Sequence, residues 1–120
     1  MSIDIPTVGG TAEKLVWLDQ QLKPARDELR RAIVALAAAQ KRATLVEAEA
    51  FISETGAMDL RKWKAREAAA DAQYEVGCAE AVVAAARTYC YNLSTSVSVA
   101  QSLGAILRSE MSLAGSGMTP

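Results

Sequence analysis

Between residues 11 and 52 the apolar side chains return every third and fourth position. Leu15, Leu22, Leu29, Leu36 and Ala43 form one register of a seven-residue repeat, and Leu18, Ala25, Ala32, Ala39 and Val46 form its companion three residues later. Two apolar positions in every seven residues place a narrow stripe along one side of a helix, the arrangement that pairs helices in coiled coils. Over so few repeats the same pattern also suits an ordinary amphipathic core helix. Leucine in one register and alanine in the other predicts close antiparallel packing against a second helix.

Local signals set the expected boundaries. Residues 1–10, with Pro6, Gly9 and Gly10, read as a flexible leader. Thr11 is the expected N-cap, with Glu13 in the first turn where the helix dipole favours an acid. Pro24 predicts a kink or short break. The first helix is expected over about 11–52, and Ser53-Glu54-Thr55-Gly56 reads as its stop, with glycine in a left-handed cap. A second helix is expected over 57–113, proline-free and alanine-rich, followed by a flexible tail at 114–120. Within it Val82, Ala85, Tyr89, Leu93, Val97, Ala100, Leu103 and Leu107 follow three-and-four spacing and are expected to be buried. Gly77 and Gly104 each cost that helix about 1 kcal/mol relative to alanine. The β-branched, serine-rich piece 94–99 is its weakest part, and a break there would create a third helix.

These elements predict an all-α fold: a single helical domain over 11–113, built as a long antiparallel helical hairpin that self-associates into a bundle. From Thr88 to Leu107 no side chain is charged. Although about 20 residues is the length of a membrane span, the serines, threonines, asparagine and glutamine in this window would lack partners in lipid. The expectation is a helix enclosed by other helices and no membrane association. One hairpin cannot enclose it, so Tyr89, Leu93, Val97, Ala100, Leu103 and Leu107 are the candidate interface of a homo-oligomer.

Composition narrows the chemistry. The 120 residues are 51% apolar but only 5% aromatic, and much of the apolar total is alanine, which suits long helices better than a thick core. A net charge of −1 gives no bulk attraction to nucleic acid or anionic lipid. Histidine is absent, removing the commonest general base and the commonest metal ligand together. Cys78 and Cys90 lie roughly 18 Å apart if helical, too far for a disulfide, and are expected as reduced, buried thiols with no base to activate them. Glu67, Asp71 and Glu75 share a helical face, but without a histidine companion they read as a solvated ladder. No phosphate-binding glycine loop, CxxC pair or catalytic serine motif is present. The expectation is a non-enzymatic protein without catalytic residues, metal or cofactor.

The densest charge feature is Arg61-Lys62-Trp63-Lys64-Ala65-Arg66. Cations around an aromatic ring suit a phosphate backbone and a stacked base, making Arg61, Lys62, Trp63, Lys64 and Arg66 a candidate single-stranded nucleic-acid patch. The competing structural reading pairs these cations with Glu47, Glu49 and Glu54 across the hairpin, with Trp63 packed as a hydrophobic staple near the turn.

The stretch from about Val46 to Glu110 resembles small helical proteins encoded by tailed bacteriophages, notably those of actinobacteria. The resemblance rests on Val46-Glu47-Ala48-Glu49-Ala50-Phe51-Ile52, Gly56, Lys64-Ala65-Arg66, Gln101-Ser102-Leu103, Arg108 and Glu110. It implies neighbours among phage recombination and replication functions and carries over no functional residue. The expected function is a self-associating accessory or adaptor protein that works through contacts with a phage or host protein. The alternatives are a nucleic-acid-binding accessory factor and a virion structural or scaffolding component. No basic segment followed by an apolar run marks the N-terminus as a secretory signal, so the expected location is the cytoplasm, that of the host cell if the chain is phage-encoded.

Overall fold

The computed structural model describes residues 7–117. Residues 1–6 of the expected leader and 118–120 of the expected tail lie outside the described residues. Three helices follow in order: α1 (Val8–Ser53), α2 (Met58–Ala68) and α3 (Ala70–Gly117). Among the described residues there is no strand, and the fold is the all-α helical hairpin that the heptad pattern predicts. The chain divides into two compact units, the first formed by Met1–Arg26 with Tyr89–Pro120 and the second by Asp27–Thr88.

In the first unit Leu18, Leu22 and Ala25 of α1 pack with Leu93 and Ala100 of α3, and Leu15, Cys90 and Val97 close over them. The buried α1 residues are the predicted repeat. Each buried leucine contributes about 1.5–3 kcal/mol, several times what an alanine methyl supplies, so Leu18, Leu22 and Leu93 dominate the apolar stabilisation of this unit. Near the start of α1, Thr7 rather than Thr11 is the N-cap: the Gly10 N–H donates to Thr7 Oγ1 at 2.9 Å. Thr11 lies one heptad before Leu18, is buried, and satisfies its hydroxyl by donating to the Thr7 carbonyl at 2.7 Å. Its methyl carbon lies 3.3 Å from the point that a Cβ on Gly104 would occupy. Residues 8–10 and 114–117, expected in the leader and the tail, are helical.

In the second unit the seam is thinner. Ala43, Ala72 and Val76 form its buried centre, with Leu36 and Ala39 packed against them. Arg42 bridges to Glu75 beside this seam at 2.9 Å. The turn follows Ser53, and Gly56 takes the positive φ of +114° that its sequence position predicts. Ala57 caps α2 in extended conformation with no side-chain cap bond, while Asp59 in the first turn suits the helix dipole.

The helices are continuous at Pro24 and at 94–99, and the second expected helix is interrupted elsewhere. Pro24 does not break α1, which is one α-helix from Val8 to Ser53. Pro24 and Gln20 are both on the exposed side, where water can take the carbonyl deprived of its N–H partner. The piece 94–99 is helical, because Leu93, Val97 and Ala100 pack onto α1 and tertiary burial outweighs weak propensity. The interruption falls instead at Ala69. Even there the i→i−4 ladder persists, from Ala69 N to Ala65 O at 3.0 Å and from Gln73 N to Ala69 O at 2.9 Å.

The buried face of α3 also differs from the sequence expectation by one residue in its first half. Val83 is 4% exposed and belongs to the core, whereas Val82 is 54% exposed. Ala86 and Cys90 likewise take the inward positions expected of Ala85 and Tyr89, and both of the latter are exposed. The inward residues Ala65, Ala72, Ala79, Ala86, Leu93, Ala100 and Leu107 keep a strict seven-residue spacing, and Ala69, Val76, Val83, Cys90, Val97 and Gly104 supply the companion register.

Candidate functional site

Two surfaces stand out, one in each unit. In the second unit the basic cluster occupies α2 directly after the turn. Helical geometry sends its members to different sides. Arg61 points back at the end of α1, donates from Nη2 to the Phe51 carbonyl at 3.0 Å, and places its guanidinium carbon 4.3 Å from the centroid of the Phe51 ring. Its Nε is buried without a hydrogen-bond partner. Lys64 pairs with Glu54 at 3.4 Å. Of the three carboxylates expected to neutralise the cluster, Glu54 does so; no ion pair is formed by Glu47 or Glu49 among the described residues.

Lys62, Trp63 and Arg66 remain on the outer face of α2, at spacings that group them together. Trp63 is 68% exposed and therefore is not the staple that the structural reading expected; Ala65 and Ala69 fill the inward positions instead. Neither Lys62 nor Arg66 meets a carboxylate among the described residues, leaving two cations beside an open indole ring.

The second surface is on α3 in the first unit. Of the six candidate interface residues, Leu93 and Ala100 are buried against α1, while Val97 and Leu107 are half-buried along the same seam. Tyr89 is exposed and Leu103 half-buried, and these two belong to a different stripe. With Asn92, Ser96, Val99 and Ile106 they form a second three-and-four repeat, about a quarter-turn from the first. Val99 is 62% exposed. The stripe was concealed in the sequence because its members interleave with those of the buried seam.

Alongside this stripe the beginning of α1 contributes Thr7, Gly10, Lys14 and Trp17, and the two helices enclose an open groove of about 880 Å³ that also touches Ser96, Val99 and Leu103. The groove offers hydroxyls, the Glu13 carboxylate, the Lys14 ammonium and an indole. Elsewhere on the helices Thr44 and Thr88 donate at 3.0 Å to the carbonyls four residues earlier.

The remaining polar chemistry is dispersed. Among the described residues no three acidic or cysteine side chains come together as a metal site. Glu75 of the expected carboxylate ladder is engaged with Arg42. Cys78 and Cys90 are free thiols; Cys90 packs on the first core, but Cys78 is exposed, contrary to expectation, because Val76 and Ala79 take the inward positions around it. Arg30 pairs with Asp27 at 3.6 Å and Arg31 with Glu28 at 2.7 Å, and the Glu28 hydrogen bond raises the pKa of Arg31 further above its ordinary value. No described helix is long and apolar enough to cross a membrane. Comparison with protein-family models, with curated proteins and with solved structures returns no match to this chain.

Proposed function

We propose that this chain is a non-enzymatic helical protein that self-associates and acts through protein–protein contacts. Its resemblance to phage-encoded helical proteins supports the role of an accessory or adaptor in a phage assembly. The observation that carries the reading is the outer face of α3. Solvated helix surfaces normally carry charge, yet from Thr88 to Leu107 none is present, although Tyr89, Tyr91, Val99 and Ile106 are more than half exposed there. Sedimentation velocity across micromolar concentrations tests it. A species heavier than 12.7 kDa, with mass rising on concentration, is expected; a strict monomer throughout would overturn the reading.

A second reading rests on a separate observation, the open trio Lys62, Trp63 and Arg66. A flat aromatic face between two unneutralised cations suits a single-stranded nucleic acid, whose bases stack while its phosphates take the charges. Fluorescence anisotropy with a labelled single-stranded oligonucleotide tests it. The expected result is binding at low salt that weakens as salt rises and is lost in the Lys62→Glu/Arg66→Glu variant. Binding that ignores both salt and charge reversal would exclude this face.

A further inference from the structure

Building on the self-association reading, we propose that the occupant of the outer α3 face is a second copy of this chain, docked antiparallel about a two-fold axis level with Gln101. The exposed stripe repeats with the spacing by which α3 already pairs with α1, so a second α3 can follow it without a change of pitch. The face is also large enough. From Tyr89 to Leu113 α3 runs about 36 Å, and with α1 alongside most of it the surface is about 20 Å wide. Its projected area, roughly 600 Å², grows with side-chain relief towards the ~800 Å² per partner of a standard interface.

The register follows from matching the stripe with itself. With the axis level with Gln101, Val99 of each copy meets Leu103 of the other, and Ser96 meets Ile106, a small side chain receiving a large one. Asn92 then meets Glu110, an amide donor facing a carboxylate acceptor. Moving the axis by half a heptad sets Asn92 against Leu103, or Glu110 against Val99, and buries a polar group on an apolar one. A parallel arrangement brings Glu110 against its own copy and leaves Ser96 opposite Ser96 at the centre. Among these arrangements the Gln101-centred antiparallel pairing is the one that gives Asn92 and Glu110 each other as polar partners. The interface is isologous, the same patch used twice, and therefore closes at two copies.

The test uses the full chain. Val99→Glu and Ile106→Glu, both at exposed positions, are expected to weaken dimerisation at least tenfold in sedimentation equilibrium with helicity by circular dichroism unchanged. Val34→Glu, equally exposed on α1 in the other unit, is the control and leaves the dimer intact. Orientation is read by cross-linking in a Cys78→Ser/Cys90→Ala background. Ser102 flanks the proposed axis, so Ser102→Cys is expected to oxidise to a covalent dimer. Gln101→Cys, level with the axis on the opposite side of α3, is expected not to. A monomeric wild-type chain would defeat both this proposal and the functional reading beneath it. A dimer indifferent to Val99→Glu and Ile106→Glu would overturn this face alone. A dimer dissolved by them, yet in which Ser102→Cys fails to cross-link as Gln101→Cys does, would overturn the antiparallel register, because a parallel pair places the two Ser102 positions on opposite flanks.

Discussion

The methyl carbon of Thr11 stands 3.3 Å from the point where a side chain on Gly104 would begin, so α1 and α3 meet closely there. No comparable neighbour exists at Gly77, where an added methyl group would meet nothing within 4 Å. Both glycines interrupt α3, and both forgo the helix propensity of alanine. Gly77→Ala is therefore expected to stabilise the fold by up to about 1 kcal/mol. Gly104→Ala should gain less or turn destabilising, because Thr11 must give way. Paired urea denaturations measure the difference, and an equal gain at both sites would refute the close approach.

Val82 and Val83 are adjacent in sequence and opposite in environment. Val83→Ala removes two buried methyl groups and is expected to cost about 1.5–3 kcal/mol in transfer and cavity energy. Val82→Ala loses little contact and gains helix propensity, so its effect should stay within about 0.5 kcal/mol of zero. Thermal unfolding of the two variants checks the assignment, and a larger loss at Val82 would reverse which face of α3 is inward.

This pair also shows where the sequence was readable. In α1 charged and amide residues, with Val16 and Trp17 as exceptions, separate the Leu15, Leu18 and Leu22 repeat, so one stripe is visible and the structure packs it inward. In α3 alanine, valine and small hydroxyl residues occupy every side, and two interleaved stripes fit almost equally well. The stripe through Val82, Ala85 and Tyr89 and the one through Val83, Ala86 and Cys90 match in size at the first two positions, and the helix buries the second, with the smaller Cys90 inward in place of Tyr89. A slip of one residue turns a helix by about 100°, enough to exchange the faces. The basic cluster was legible as composition only; which of its cations are engaged depended on the turn at Gly56 and on Phe51 lying beneath Arg61.

Arg61 ties α2 to the end of α1 through the Phe51 ring and carbonyl. Arg61→Ala is expected to destabilise the turn by about 1–2 kcal/mol, the charged hydrogen bond and ring contact being partly offset by release of the unpaired buried Nε. Arg61→Met, which keeps the stem over the ring and removes the unpaired donor, should lose less. Hydrogen-exchange rates of the α2 amides report the local effect, and equal protection in all three proteins would show that the contact adds nothing.

The seam through Ala43, Ala65, Ala69 and Ala72 leaves each of these side chains almost no exposed surface. With so little volume between the backbones, there is no slack to absorb an additional carbon there. A saturation-mutagenesis map of this chain would therefore invert the usual contrast between bulky, intolerant interiors and permissive small residues. Its most restrictive columns would be alanines, and some of its most permissive would belong to valines and tyrosines.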